Sequence, residues 1–164
     1  MLGNGAWSTP AYFYASTIPD QLATAVTSLY NQTVTIAWQP SPNIHYQTVT
    51  AYRVKIQAKN GTMVEDTTIC KGSTASVVSA LKCTALMNLF VTDLGLAIDD
   101  LIIVTVEALN VMGYSIPSVP NTVGVTVKKA PQTAPSALAR GAGTGKLSVQ
   151  LNWTGITADT DTGG

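Results

Sequence analysis

The chain repeats part of itself at a spacing of about 110 residues, and the repeat is out of phase with the chain ends. Segment 2–10 is similar to segment 112–120, and segment 34–38 is similar to segment 149–153, with offsets of 110 and 115 residues. Recurrence at a fixed spacing is typical of modules arranged in tandem. The sequence therefore predicts the end of one module, one whole module and the beginning of a third.

Proline-bearing segments mark the predicted joints between these modules. Pro19 and Pro131 follow alternating runs, where proline ends a sheet and stiffens the chain. We expect 1–19 to be the last strand of a preceding module, 20–130 a complete module with an insert that carries the two cysteines, and 131–164 the first two strands of a following module. Since the repeat places Met1 within a module, we interpret it as an internal residue of a longer chain.

The composition excludes several classes of partner. Charged residues make up 11% of the chain against a usual value of roughly 25%, and the formal net charge is zero. Nucleic acids and anionic membranes attract basic surfaces, so neither is an expected partner. No apolar run approaches the ~18 residues that cross a bilayer, so no membrane contact is expected within this segment. Thr and Ser supply 34 of the 164 residues, and Thr favours β-strands.

Short alternating runs dominate the chain. They predict strands at 11–18, 33–39, 52–58, 101–109 and 121–127. Asn60-Gly61 between two such runs is a strong hairpin signal. The segment 75–89 suits a short helix or a strand with a loop equally well. Regular short strands separated by turns predict an all-β sandwich or barrel.

Two segments narrow this fold class. Trp38, on the predicted second strand and followed by Pro40, resembles the tryptophan of a fibronectin type III domain. The pattern V-x-A-x-N-x-x-G at 106–113 resembles the sixth strand of that family. The resemblance implies an immunoglobulin-like (fibronectin type III) β-sandwich in a tandem array, covering 20–130 fully and both flanks in part. This fold binds and spaces without intrinsic chemistry, so function does not follow from it.

One corner of the sandwich departs from the family pattern. Leu96 precedes Ile102 by the six residues that separate the family's leucine from its tyrosine-corner tyrosine. Here the tyrosine is replaced by Ile102, and the usual Pro-Gly is Ile98-Asp99. The tyrosine-corner hydrogen bond is therefore absent, and we expect a different corner geometry. The predicted core consists of Trp38, Tyr52, Val54, Leu96, Val106, Ala108 and, in the following module, Trp153.

The two cysteines lie 13 residues apart in the insert. Cys70 and Cys83 have no other cysteine to pair with inside the chain. We expect a disulfide, which places the protein outside the cell or at its surface; the alternative is two buried free thiols in a cytosolic protein. Segment 70–73 with its second cysteine is similar to inserts in large tandem type III surface proteins of single-celled eukaryotes, especially ciliates.

Three N-x-[ST] sequons make glycans candidate partners. Asn60 lies on the predicted hairpin tip, where an enzyme has access, and Asn31 precedes a predicted strand. Asn152 is the weakest case, because it lies within a predicted strand and precedes a tryptophan.

Catalytic chemistry has no support in the sequence. His45 is the only histidine and lies in a proline-rich predicted loop after the second strand, where we expect an exposed side chain. The cysteines have no companion at metal-ligand spacing. The glycine-rich stretch 141–146 lacks the spacing of a phosphate-binding loop. We therefore expect no catalytic residue, metal or cofactor, and no enzyme activity.

The function best supported by the sequence is structural. We expect an extracellular tandem array that forms a surface fibre, filament or coat, with other copies or neighbouring modules as partners. The first alternative is a ligand-binding ectodomain of a receptor or adhesin, with its site near His45 and Tyr114. The second is an accessory module of a secreted hydrolase.

Overall fold

The computed structural model of the protein describes residues 8–130 and 134–156. The elements in chain order are β1 (Val26–Tyr30), β2 (Thr33–Ala37), β3 (Ala51–Gln57), β4 (Met63–Val64), α1 (Ala75–Ala80), β5 (Lys82–Leu86), α2 (Met87–Thr92), β6 (Val104–Asn110), β7 (Gly113–Tyr114), β8 (Ser136–Arg140) and β9 (Leu151–Thr154). Strands therefore dominate the described chain, as the alternating pattern predicts.

The strands from β1 to β7 form two antiparallel sheets. One sheet has the order β1-β2-β5 and the other the order β4-β3-β6-β7. The longest pairing joins β3 to β6, where Tyr52 lies opposite Ala108 and Val54 opposite Val106. These inward-facing residues alternate with polar ones, so one face of each sheet supplies the core. The predicted all-β sandwich is confirmed.

The core lies between the two sheets and contains all but one of the predicted core residues. Those that are buried are Trp38, Tyr52, Val54, Leu96, Val106 and Ala108. The rings of Trp38 and Tyr52 pack with centroids 5.2 Å apart, and burial raises the pKa of the Tyr52 hydroxyl. Trp153 differs from the expectation, because its side chain is 61% exposed. It belongs to the two-stranded sheet β8-β9, which has no second layer in the described chain.

Three of the predicted elements differ in the structure. Residues 8–25 contain no strand, so the strand expected at 11–18 is absent; no neighbouring strand in the described chain pairs with it. The ambiguous segment 75–89 contains α1, β5 and the start of α2. Segment 121–127 forms a single bridge, Leu101 with Thr126, in place of the predicted strand.

A bend at residues 122–124 interrupts this segment, and the preceding stretch 115–121, which follows β7, is attached to β6 largely through side chains. Every third residue of this stretch is buried: Ser115, Ser118 and Asn121. Their side-chain oxygens accept hydrogen bonds of 2.7 to 3.0 Å from alternate backbone N–H groups of β6. Pro117 and Pro120 have no N–H group, and a period of three is that of a polyproline II helix rather than a strand. Side chains therefore take over much of the bonding that a strand backbone would provide.

Asn121 forms hydrogen bonds with two backbone groups at the start of β6. Its Oδ1 accepts from the Val104 N–H at 2.7 Å, and its Nδ2 donates to the Ile102 carbonyl at 3.0 Å. Beyond Gly124, whose φ of +145° favours glycine, the burial period returns to two with Val125 and Val127. Asn121 thus holds the chain where its conformation changes.

We expect Asn121→Ala to lower the free energy of unfolding by about 2–4 kcal/mol, because two buried backbone groups lose their partner. Urea denaturation followed by tryptophan fluorescence measures the change. Thr122→Ala alters the exposed neighbouring residue and should change stability by less than about 0.5 kcal/mol. Equal losses in the two variants would contradict this role of Asn121.

The corner before β6 is braced by a carboxylate instead of a tyrosine. Ile102 is fully buried in the core, and Asp99 has a left-handed backbone with φ of +68°. Asp100 Oδ2 accepts from the Ala97 N–H at 2.7 Å and lies 2.7 Å from Lys59 Nζ. The hydrogen bond from Lys59, followed by that from Ala97, lowers the pKa of the Asp100 carboxyl.

This lowered pKa makes the stability of the corner depend on pH. A carboxyl whose pKa is lower in the folded state stabilises the protein above its unfolded pKa of about 3.9, and the stabilisation is lost as pH falls through the folded value. We therefore expect Asp100→Asn to unfold at a lower urea concentration than the native chain at pH 7, and we expect the difference to shrink as the pH falls below about 3.9. The control Glu65→Gln alters an exposed carboxyl. A difference for Asp100→Asn that persists at low pH would contradict the argument.

Candidate interface at the module joint

The segment before β1 lies against two loops of the sandwich. Residues 14–21 contact the loop between β2 and β3 and the turn between β6 and β7. These loops lie at the same end of the two sheets. The predicted joint with the preceding module is therefore a set of defined contacts.

Backbone bonds hold the first loop against Asp20. The Asp20 N–H donates to the Asn43 carbonyl at 3.0 Å, and Ser41 Oγ lies 2.9 Å from the Asp20 carbonyl. Asn43 Oδ1 accepts from the His45 N–H at 2.9 Å. The loop and the incoming chain thus satisfy one another's polar groups, as partly buried backbone requires.

Two consecutive residues at the tip of this loop have left-handed backbones. His45 has a φ of +47° and Tyr46 a φ of +62°, a region that non-glycine residues rarely adopt. Such a conformation persists only where its surroundings compensate its cost. Here His45 Nε2 lies 2.8 Å from Asp20 Oδ1, and the Tyr46 ring stacks on Tyr14 with centroids 4.5 Å apart. The strained tip therefore points both side chains at the incoming segment.

The second contact is made by the last residue of β6. Asn110 Nδ2 donates to the Thr17 carbonyl at 2.8 Å, while its Oδ1 accepts from the Met112 N–H at 2.9 Å. Gly113 follows with a φ of +133°, and a Cβ there would approach the Ile18 side chain to 3.3 Å. The N-x-x-G part of the sixth-strand pattern therefore both closes the turn and binds the joint.

The two residues predicted near a ligand site, His45 and Tyr114, both contact other side chains of the protein. His45 is partly buried against Asp20, not freely exposed as expected, because Asp20 lies 25 residues earlier and its approach leaves no local signal. The Tyr114 ring has the Arg53 guanidinium 3.8 Å from its centroid. Arg53 and Lys55 both pair with Glu107, which is almost completely buried on β6. Both predicted ligand-site residues are thus engaged with the chain itself.

The two cysteines are bonded to each other. The disulfide joins Cys70, in the loop before α1, to Cys83 on β5, with Cα atoms 5.5 Å apart and both residues buried. Next to it the Gly72 carbonyl accepts from the Tyr52 N–H at 3.0 Å, and the Tyr52 backbone leaves no room for a Cβ at Gly72. The insert is therefore attached to both sheets.

The sequon asparagines are all exposed. Asn31 lies in the turn between β1 and β2 with a φ of +45°, Asn60 in the turn before β4, and Asn152 on β9. Asn60 Oδ1 accepts from the Thr62 N–H at 3.0 Å, which shapes the tip of its turn. Glycosylation at these sites stays a prediction.

The described residues contain no group of three or more His, Cys, Asp or Glu side chains placed to hold a metal ion. Within the same ranges, no helix has the length and hydropathy needed to span a bilayer.

Comparison with known proteins supports the fold. No protein-family model matches the sequence, and no curated protein is similar to it. Among solved structures, the FN1–FN3 domains of chicken CNTN1 are 18% identical with a TM-score of 0.50, over 88% of this chain and 46% of that one. The sixth fibronectin type III domain of human fibronectin type III domain containing protein 3 is 19% identical with a TM-score of 0.50, over 73% and 97%. The chain therefore has the fibronectin type III fold.

Structures that include kinases are also similar to this chain. The titin kinase with its flanking domains is 19% identical with a TM-score of 0.48, and the chain spans 18% of its length. The chain spans 17% of the twitchin kinase region from C. elegans.

We expect Tyr46→Ala to loosen the joint. Loss of the stacked pair removes about 0.5–1.5 kcal/mol, which converts to a two- to tenfold larger population of released segment. Chymotrypsin cleavage after Tyr14 should accelerate by that factor, since cleavage follows the open population. Tyr30→Ala is the matched control, because Tyr30 is exposed on β1 and has no ring partner in the described chain. Unchanged cleavage in Tyr46→Ala would show that the stack does not hold the segment.

Proposed function

We propose that this chain is part of a tandem fibronectin type III array that forms an extracellular fibre, filament or coat and has no catalytic activity. The observation that carries the proposal is the joint, where residues 14–21 are bound by two loops of the following sandwich. A flexible linker between independent domains would need none of these contacts. A joint with so many of them suits modules that keep a defined angle.

The repeat supports the same arrangement at the other end of the module. The hairpin β1-β2 recurs as β8-β9 at the offset found in the sequence, again as an antiparallel pair. Leu138, Leu151 and Trp153 are exposed on this second hairpin, as expected for the first two strands of a module whose facing sheet lies further along the chain.

Three side chains near the loops that would form a ligand site make contacts within the chain. His45 faces Asp20, Tyr46 stacks on Tyr14, and Tyr114 lies under Arg53. A soluble ligand would have to displace contacts that the chain makes with itself. This favours the structural function over the receptor or adhesin.

The proposed location is the cell surface or the extracellular space. The disulfide Cys70–Cys83 is of the kind that persists in oxidising compartments and is rare in the cytosol. The exposed sequons are accessible to glycosylation in the same compartment. The similarity of the insert to tandem surface proteins of single-celled eukaryotes also points outside the cell, and the lineage itself stays a prediction.

Contacts between copies should depend on apolar area and main-chain pairing, because charged side chains are few. Salt screens charge pairs and has little effect on buried apolar surface. We therefore expect native assemblies to survive about 1 M sodium chloride, as measured by sedimentation. Dissociation in this salt, or a protein that is monomeric as purified from its source and binds a soluble ligand through His45 or Tyr114, would favour the receptor alternative.

A substitution used to probe the assembly has to leave the fold intact. A proline at Val125, in the segment where a strand was predicted, would remove a backbone donor but would also disrupt the fold. Val125 is buried, its N–H donates to Thr27 Oγ1 at 2.8 Å and its carbonyl accepts from the Ile102 N–H at 2.9 Å. Val123, two residues earlier, is 78% exposed and leaves the core unchanged when altered.

A further inference from the structure

The stretch 115–121 presents an apolar row to solvent. Its polar residues Ser115, Ser118 and Asn121 face β6, so the residues between them face outward. Ile116 and Val119 are each more than half exposed, and the prolines that follow them are exposed as well. We call Ile116, Pro117, Val119 and Pro120 the proline ridge.

The proline ridge is held in place before any partner binds. Three side-chain bonds to β6 fix its conformation, so binding orders little additional chain. Segment 111–127 contains no charged residue, so electrostatic attraction does not select its partner. Polyproline II segments with outward prolines are recognised by flat aromatic side chains that pack on the proline rings.

The same chain supplies aromatic side chains of this kind. Tyr12 is 88% exposed and Phe13 is 93% exposed, and neither has a hydrogen bond or ring partner in the described chain. We call these two residues the aromatic pair. Segment 1–19 is also free of charged residues, which matches the uncharged ridge.

The repeat argues that the aromatic pair stays exposed in a longer array. At the offset of 110 residues, Tyr12 corresponds to Thr122 and Phe13 to Val123. Both of those residues are exposed in the complete sandwich, even though all its strands are present. Exposure at these two positions therefore occurs in the complete sandwich as well.

We infer that neighbouring copies of this chain associate side by side, with the aromatic pair of one copy packed on the proline ridge of another. This inference rests on the proposed structural function and names the surface through which arrays would assemble. A second copy fits because it carries both halves of the contact and because neither half has a charge that would select a charged partner. One such contact buries little area, so association of this chain is expected at high protein concentration.

The contact is tested by complementation between two double variants of the whole chain. Tyr12→Ser with Phe13→Ser removes the aromatic pair, and Ile116→Ser with Val119→Ser removes the outward side chains of the ridge. Sedimentation velocity over a concentration series should show self-association of the native chain and about tenfold or more weaker association of each variant. Because each variant keeps the half that the other lacks, an equimolar mixture should recover mixed dimers, detected with a fluorescent label on one variant.

The control is Leu147→Ser, which removes a fully exposed apolar side chain elsewhere. Its association should match that of the native chain, and the circular dichroism spectra of all variants should agree. Weakening in the control equal to that in the double variants would overturn the inference, and so would unchanged association of the double variants or a mixture without mixed dimers. In those cases a salt-resistant native assembly would still support the proposed function, whereas a native chain that never associates would contradict both.

Discussion

The sandwich depends on the three side-chain hydrogen bonds that attach residues 115–121 to β6. The strand β7 has only two residues, so without these bonds the N–H groups on one side of β6 would have no partner inside the fold. Buried backbone groups without partners are costly, which makes Ser115, Ser118 and Asn121 a requirement of the fold. The same geometry directs Ile116 and Val119 outward. One constraint thus completes the sheet and creates the surface on which lateral association is proposed.

The joint likewise depends on a few side-chain contacts. His45 and Tyr46 have left-handed backbones, a conformation that costs energy and persists where surrounding contacts compensate it. Their side chains contact Asp20 and Tyr14, and these contacts add to the hydrogen bonds that the loop makes within itself. The loop is therefore shaped for its neighbour in the chain. This is the physical basis for proposing a module that spaces other modules over one that captures a free ligand.

The sequence predicted those parts of the fold in which local pattern and tertiary contact agree. Alternation located β2, β3 and β6, because apolar side chains that face the core alternate with other side chains along these strands. The strand expected at 11–18 failed because periodicity does not show whether a pairing strand exists. Segment 121–127 failed for a different reason: a bend at residues 122–124, with Gly124 at a φ of +145°, interrupts it, and alternation of side chains does not predict such a bend. The contact between Asp100 and Lys59 at the corner was not predicted, because the two residues lie 41 positions apart in sequence.

In the proposed array, tension between modules would pass through β6. The incoming segment is bound by Asn110 at the end of this strand. The outgoing segment is bound just before its start, where the Val127 N–H donates to the Asp100 carbonyl at 2.8 Å and the Ile102 N–H donates to the Val125 carbonyl at 2.9 Å. The two attachment points thus lie at opposite ends of one strand whose inward residues are buried among both sheets. Load applied through the joints would therefore reach this strand directly, and the bonds of Asp20 with the loop between β2 and β3 and of Val125 with Thr27 on β1 would share it.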